Sequence, residues 1–441
     1  MPYEPVIGLE VHVQINTKSK AFCSCATDFG MPANTQTCPV CLGFPGVLPV
    51  LNEKFLQHSI RVALAINCSV ANYLKFDRKH YFYPDLPKNY QISQYDMPLA
   101  SNGFLDIETP SGKKRIRILR VHLEEDAGKL IHTSSGSLVD FNRCGMPLLE
   151  IVTHPDINSA QETYSYLTQL KSIIEYLEVS DCDMEKGSLR CDANISIRPQ
   201  GETKLGTKTE LKNMNTFKGA KDALNYEILR QEKQLLNNEK IIQETRLWDE
   251  SQQKTFSMRT KEEAHDYRYF PEPDLVPITI SAENIDAIKK ELPELPQEKK
   301  ARLVSQYNIP EYDANVISAD KNLAIYFEEA ARQYSMPKTV SNWLMSDIMN
   351  HINSNQIEIK KLKELLPVKN LISMLQLIDN NTISGKIAKE VLSEMFRSGK
   401  DAAVIVKEKN LIQISDSSQI EAVIEEVIAE HQNDCRAETS R

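Results

Sequence analysis

The sequence has no run of about 18 apolar residues, which excludes a membrane-spanning helix. Its opening, Met1-Pro2-Tyr3-Glu4, lacks the basic stretch and apolar core of a secretory leader, so a cytoplasmic protein is expected. Cysteine is too scarce for a disulfide scaffold: there are nine in 441 residues, and the odd count fits a reducing compartment. Positive charge is not in excess either. The formal net charge is −9, and the resulting field repels polyanions, which argues against a general nucleic-acid coat or an anionic-membrane binder. Specific docking through local basic patches stays open. Repeats and low-complexity tracts are absent, and 41% hydrophobic residues provide apolar material for two or three domains.

Two kinds of catalytic signature are also missing. No Walker sequence occurs, and the Ser-Gly-Lys triplets at Ser111, Ser384 and Ser398 lack the earlier glycine, so any nucleotide site is of another kind. There is no Gly-x-Cys-x-Gly or Gly-x-Ser-x-Gly elbow, no amidase loop rich in glycine and serine, and Pro2 stands where an amino-terminal cysteine nucleophile would be. A step that hydrolyses an amide would belong to a partner.

From Tyr3 to about Phe270, short alternating runs separated by glycine, proline and polar turns read mainly as strands. Asn284 to about Ile428 is nearly free of glycine, with apolar residues at helical spacing, as in Leu323, Ile325, Tyr326, Phe327 and Ala330. Pro271, Pro273 and Pro277 mark a rigid joint, because each proline lacks an amide donor and restricts the residue before it. The boundary is expected between Pro271 and Pro296, with a second break near Gly399. The expected domains are 1–290, 291–400 and 401–441.

Residues Ile7 to Ile15 alternate strictly. Ile7, Leu9, Val11, Val13 and Ile15 take one face; Gly8, Glu10, His12 and Gln14 take the other. Same-face neighbours on a strand lie roughly 6.5 to 7 Å apart, so Glu10 and His12 could converge on one ion or phosphate, although a solvated strand face reads the same way. Leu189 to Arg198 repeats the pattern, with Arg190, Asp192, Asn194, Ser196 and Arg198 on the polar side, and Lys208, Glu210 and Lys212 give a third case. The acids Glu124, Glu125 and Asp126 end an apolar run, and either a solvated turn or nearby cations would relieve their repulsion. Glu150 is flanked by apolar residues on both sides, which calls for a partner. Glu10, His12, one or both of Glu124 and Glu125, Glu150, Asp192 and Glu210 could therefore form an oxygen-rich site suited to magnesium or manganese with nucleotide phosphates. Lys88, Arg120, Lys129, Arg190, Lys208 and Lys212 could neutralise those phosphates, or simply be surface residues.

Cys23-Ser24-Cys25 and Cys38-Pro39-Val40-Cys41 place four thiols in two close pairs, the spacing of a zinc knuckle over 23–41. A closed four-thiolate shell has no vacancy for substrate, so its role would be to hold the loop. Redox activity is the rival reading. The isolated cysteines read as core.

Several segments together resemble the GatB/GatE family, the B subunits of aspartyl/glutamyl-tRNA amidotransferases. They are Val6-Ile7-Gly8-Leu9-Glu10-Val11-His12, Pro45 to Asn52, Lys75 to Asp85, Tyr90 to Tyr95, His122 to Lys129, Gly187 to Asn194 and Asp266 to Asp274. The likeness runs from Tyr3 to about Ile428. It implies an α+β fold: an antiparallel-sheet cradle related to the glutamine synthetase sheet, an all-helical tRNA-binding domain, and a short tail domain that looks truncated, since His431 to Arg441 matches nothing in the family pattern. In the family that tail packs on the tRNA elbow. Lys386, Lys389, Arg397 and Lys400 remain as phosphate contacts, with solvation the commoner explanation.

The resemblance also implies an activity. ATP and magnesium serve to phosphorylate the side-chain carboxylate of Glu or Asp misacylated on tRNA. Ammonia then displaces the phosphate, released by an amidase partner, the A subunit, in a heterotrimer completed by the small C subunit. By their match to the family motifs, Glu10, His12, Glu125 and Glu150 are expected in the magnesium shell. Glu124, Asp192 and Glu210 would serve a second ion, the nucleotide or ammonium, with Glu124 and Glu125 interchangeable. Lys88, Arg190 and Ser188 would contact nucleotide or phosphate. Gly8 and Gly187 give backbone room to ligand or satisfy a turn. The cysteines match a zinc pattern that some members carry. A non-catalytic zinc-stapled tRNA-docking scaffold is the rival reading, but it has no need for these acids; the paralogous GatE carries an inserted domain for which this chain has no room.

Overall fold

The computed structural model describes residues 3–260 and 267–412. Two compact units emerge, Met1–Leu295 and Pro296–Arg441. In the first, β1 (Tyr3–Gln14) is followed, after the helices Pro39–Leu42 and Glu53–Ala65, by the short strands β2 (Ser69–Val70), β3 (Tyr73–Leu74), β4 (Asp77–His80) and β5 (Tyr90–Ser93). The long hairpin β6 (Ala100–Thr109) and β7 (Gly112–Glu125) precedes a small one, β8 (Lys129–Thr133) and β9 (Gly136–Asp140), then β10 (Pro147–Thr153). β11 (Leu189–Pro199) and β12 (Thr209–Lys212) follow the helix Ala160–Tyr176. β13 (Glu244–Asp249) and β14 (Lys254–Thr260) follow the helix Phe217–Leu236, with β15 (Phe270–Pro271) and β16 (Ile278–Thr279) last.

Nine strands form one sheet in the order β14-β13-β12-β11-β1-β10-β7-β6-β2. Neighbours pair antiparallel except β12 and β13, which run parallel. The exception has a plain cause: the helix Phe217–Leu236 carries the chain from β12 to β13, and such a crossover delivers the next strand in the same direction. A three-stranded sheet, β15-β4-β5, and the pairs β16-β3 and β8-β9 complete the unit.

Alternation decides the two faces of the large sheet. Leu9, Val11 and Val13 of β1 join Leu123, Leu149, Ile151, Cys191, Ala193 and Leu211 in one buried apolar cluster with Tyr166, Leu170 and Ile174 of the first long helix and Ala220 and Leu224 of the second. Both helices begin at a hydroxyl cap: Ser159 accepts from the Glu162 amide at 3.1 Å and Thr216 from the Gly219 amide at 2.8 Å. The opposite face carries the polar residues.

In the second unit, apolar faces of Lys321–Gln333, Val368–Asp379 and Gly385–Ser398 meet around Leu323, Phe327, Leu371, Leu375, Val391 and Met395. Of the five apolar positions singled out between 323 and 330, Ile325 alone faces water. Lys389, Arg397 and Lys400 pair with Asp347, Glu394 and Glu408. The expected tail domain lies largely outside the described residues, which include its helix Ala402–Glu408.

A buried polar network locks the second long helix to the sheet edge. The fully buried Glu227 accepts from Arg230 at 2.6 and 2.8 Å and from Gln231 at 2.8 Å, and lies 3.6 Å from Arg246 of β13. Glu227→Ala leaves two half-buried guanidinium groups without this carboxylate. It is expected to cost about 3 kcal/mol or more, read as a lower urea midpoint; a loss below about 1 kcal/mol contradicts the assignment.

Candidate functional site

The register of β1 with its two neighbours builds the site. His12 lies opposite Glu150 of β10 on one side and Arg190 of β11 on the other, and Glu150 in turn faces His122 of β7. Directly opposed residues share a face, so His122, Glu150, His12 and Arg190 form a row across the polar side of four adjacent strands. Glu124, two residues beyond His122, joins the same side. His12 Nε2 is 3.5 Å from Glu124 Oε1 and 3.5 Å from Glu150 Oε2. One ligand atom from each of the three lies within 4.8 Å of the others.

Glu124 and Glu150 are 2% and 8% exposed, so their charges are held out of water. Burial and the Glu150 charge push the Glu124 carboxyl above its usual range, against the pull of Lys79 and His12. Glu150 goes the other way: burial would raise it, but His12, then His122 and Lys79, hold it well below. Burial would lower His12, yet Glu150 and Glu124 outweigh it and leave the imidazole raised. His122 is lowered to about 4 by burial, and its Nε2 is buried without a hydrogen-bond partner. Two close carboxylates and an imidazole make a compact donor set for one divalent cation, with the carboxylate oxygens as the hard ligands that magnesium requires.

Cationic groups surround this set. Lys79 of β4 sits 5.1 Å from the Tyr267 ring; burial would lower its pKa, but Glu124, Tyr269 and Glu150 raise it. Tyr95 and Tyr269 stack at 4.5 Å. Arg190 donates to Asp126 Oδ2 at 2.8 Å, and its Nε, like that of Arg120, is buried without a partner. Such orphan donors fit phosphate oxygens. Lys129 and Lys208 are exposed.

Several expected site residues lie elsewhere. Glu125 is the main correction: it follows Glu124 directly on a strand, so it points through the opposite face. There it accepts from Lys88 Nζ and from the Ile92 amide at 2.9 Å, away from His12. The triad is therefore His12, Glu124 and Glu150, and Lys88 is occupied with Glu125. Glu10 is beside the triad, opposite Asp192, and accepts from Asn194 at 3.0 Å. Asp192 and Glu210 do not form an open second cation site, because Lys212 Nζ stands 2.5 Å from Asp192 and 3.3 Å from Glu210. Glu210 also accepts from Thr245 Oγ1 at 2.7 Å. Ser188 is committed to its own loop: it donates to Asp181 and accepts from the Asp183 amide at 2.8 Å. Gly187, at φ +77°, serves a turn. A Cβ on Gly8 would meet Pro155 and Thr153 at an ordinary 3.8 Å or more.

Sequence reasoning gave no role to Lys79, although it lies in a segment that carries the family likeness. β4 is four residues long, too short for alternation to assign its face. Lys20 was missed as well.

The second cluster lies on the Glu125 side. Cys23, Cys25, Cys38 and Cys41 bring one sulfur each within 4.8 Å of the others, which is consistent with structural zinc. The fully buried Lys20 places Nζ 2.7 Å from the Gln36 carbonyl and 3.8 Å from Cys41 Sγ. The Cys41 thiol is lowered to about 5, chiefly by Cys23 and, against burial, by the Cys38 amide and Lys20. A Cβ on Gly43, at φ +71°, would fall 2.3 Å from Lys88 Cγ, so the knuckle packs directly on the lysine that holds Glu125.

A sheet-rich unit that collects buried acids and an imidazole on one face, stapled by four thiols and followed by a helical unit, is the setting for comparison with known proteins. Residues 5–286 match the GatB/GatE catalytic domain and residues 325–440 match the GatB domain, so the chain belongs to the GatB/GatE family. The second match passes Ile428, where the likeness visible in the sequence ended.

The particular relatives carry one name, that of the B subunit of aspartyl/glutamyl-tRNA(Asn/Gln) amidotransferase. The protein of that name from Carboxydothermus hydrogenoformans is 57% identical over 97% of this chain and 89% of its own length. Those from Caldanaerobacter subterraneus subsp. tengcongensis and Persephonella marina are 56% and 54% identical, each over 98% of this chain and 90% and 91% of their own.

The two adjacent glutamates should respond oppositely to neutralisation. With its folded pKa above the ordinary 4.5, Glu124 holds its proton more tightly when folded, so its ionisation costs stability as pH rises past that value. In metal-free protein at pH 7, Glu124→Gln is expected to leave the melting temperature unchanged or higher. Glu125→Gln strands the buried Lys88 and is expected to cost about 2–3 kcal/mol. Equal losses in thermal melts would contradict the face assignment. Metal analysis is expected to find about one zinc per chain, lost in Cys41→Ser; zinc-free wild type would remove the structural-metal reading.

Proposed function

We propose that the chain is the B subunit of a cytoplasmic, ATP-dependent amidotransferase. It amidates Glu misacylated on tRNA(Gln), Asp misacylated on tRNA(Asn), or both, in a heterotrimer with an amidase, the A subunit, and a small C subunit. The observation that supports this reading best is the register that draws His12, Glu124 and Glu150 from three adjacent strands into one buried donor set. Two features of the relatives' name bear on it: a tRNA-borne Asp or Glu as substrate and transfer of an amide.

A side-chain carboxylate is a poor electrophile until one oxygen becomes part of a leaving group. In this reading its oxygen takes the γ-phosphoryl group of ATP, ADP departs, and ammonia then displaces phosphate to leave the amide. Glu124, Glu150 and His12 would hold magnesium, which when bound neutralises charge on the transferring phosphoryl group. Lys79 and the unpartnered edge of Arg190 hold phosphate oxygens from the sheet's polar side. Glu10, beside the triad and fixed by Asn194, orients the incoming group. Lys212 keeps Asp192 and Glu210 together, so that pair shapes the wall of the site. The four cysteines hold zinc and brace the loop behind Lys88 and Glu125.

A docking scaffold without chemistry is disfavoured by Glu124 and Glu150, whose burial a scaffold gains nothing from. The test is reconstitution with the A and C subunits and measurement of ATP consumption on misacylated Glu-tRNA and Asp-tRNA separately. Wild type is expected to consume ATP only when such a tRNA is present. Glu124→Gln is expected to reduce turnover by at least about 100-fold with melting unchanged; retained turnover in that variant would reject the site.

A further inference from the structure

Lys20 is fully buried, and a lysine is almost never so placed without a partner. Among the described residues no carboxylate pairs with it: Glu125, which like the lysine stem lies against Gly145, is taken by Lys88. An ammonium group has three N–H donors, and each has an acceptor here. They are the Gln36 carbonyl at 2.7 Å, the Phe141 carbonyl at 3.4 Å and Cys41 Sγ at 3.8 Å. The Lys20 backbone amide donates to the Cys25 carbonyl at 3.0 Å, so one residue reaches both thiol pairs. Neither carbonyl that the ammonium meets bears a charge, which leaves the sulfur as the group able to balance it. Of the four clustered cysteines, Cys41 alone is buried; Cys23, Cys25 and Cys38 keep some contact with water. Four thiolates around one zinc carry two negative charges in excess, and water offsets that excess least at Cys41. Lys20 and the Cys38 amide, 3.2 Å away, both donate to this sulfur. A reactive amine would need a free donor and a path to substrate, and Lys20 has neither.

We propose that Lys20 is a positioning residue for the thiolate centre: its ammonium balances part of the negative charge of a zinc tetrathiolate and holds the buried Cys41 sulfur toward the metal. The inference rests on the structural zinc of the proposed function. Groups that contact metal ligands from behind are worth about 10- to 100-fold in metal affinity, which sets the size of the effect. A brace acting only through Gln36 and Phe141 would stabilise the zinc-free and zinc-loaded protein alike. A charge directed at the metal's thiolates stabilises the loaded form more, and by linkage this difference appears as zinc affinity.

The test uses the full chain, loaded with zinc and stripped of it. Zinc affinity is read by competition with a chromophoric chelator in two variants. Lys20→Met keeps a similar stem without the charge, and Lys20→Gln keeps a donor without the charge. Both are expected to bind zinc at least about 10-fold more weakly than wild type, and the rise in melting temperature on adding zinc is expected to shrink. In cobalt-loaded protein the thiolate-to-cobalt charge-transfer band is expected to move to longer wavelength, because sulfur without the ammonium holds its electrons less tightly. If Lys20→Met does not fold, Lys20→Gln decides on the same readings. Equal loss of melting temperature in stripped and loaded protein, with affinity and band unmoved, overturns the proposal and leaves the zinc reading intact. Wild type without zinc overturns both.

Discussion

β1 has a hydrogen-bonded partner along both edges, and a slip of one residue on either side would send His12 into the apolar layer and Val11 among the acids. Burial of Leu9, Val11 and Val13 against the two long helices resists that slip, because each fully buried side chain contributes about 1.5–3 kcal/mol that an inverted strand would forfeit. The polar row is thus positioned by the apolar one. None of His12, Glu124 or Glu150 favours its own burial; the hydrophobic face of the same strands holds them there.

This division explains the electrostatics of the site. A sheet face lined by Arg190 with Asp126 and Lys212 with Asp192 and Glu210 is largely self-compensated. The triad is the exception, where Glu124 is driven toward its protonated form while Glu150 keeps its charge through His12. The proposed cation and phosphate sites rest on these two close buried carboxylates and on the orphan arginine donors nearby.

Much of this was legible in the sequence, and the reasons are specific. Period-two alternation assigned faces correctly along β1 and β11, so Glu10, His12, Arg190 and Asp192 were placed on a common side before any pairing was known. Cysteine spacing was enough to group four thiols. The failures have equally local causes. Arg120, Val121, His122, Leu123 and Glu124 alternate strictly, which puts Glu124 on the His122 face and Glu125 on the other; motif matching alone cannot tell two adjacent carboxylates apart and passed over that signal. Lys212 stayed open between a phosphate contact and a surface residue because one-dimensional spacing does not reveal that two acids already claim it. Ser188 and Gly187 were offered as ligand contacts by the family likeness, with a turn an equal alternative for Gly187; the hydroxyl is held by its own loop and the glycine sits at a turn. Lys79 and Lys20 depend on contacts between segments far apart in the chain, which no local pattern carries.

One peptide link joins Glu124 to Glu125, and the two side chains leave the strand on opposite sides, one toward the imidazole, the other toward the lysine packed beneath the thiol knuckle. The end of β7 is therefore a seam shared by two chemically unrelated centres, whose facing carboxylates belong to consecutive residues of one strand.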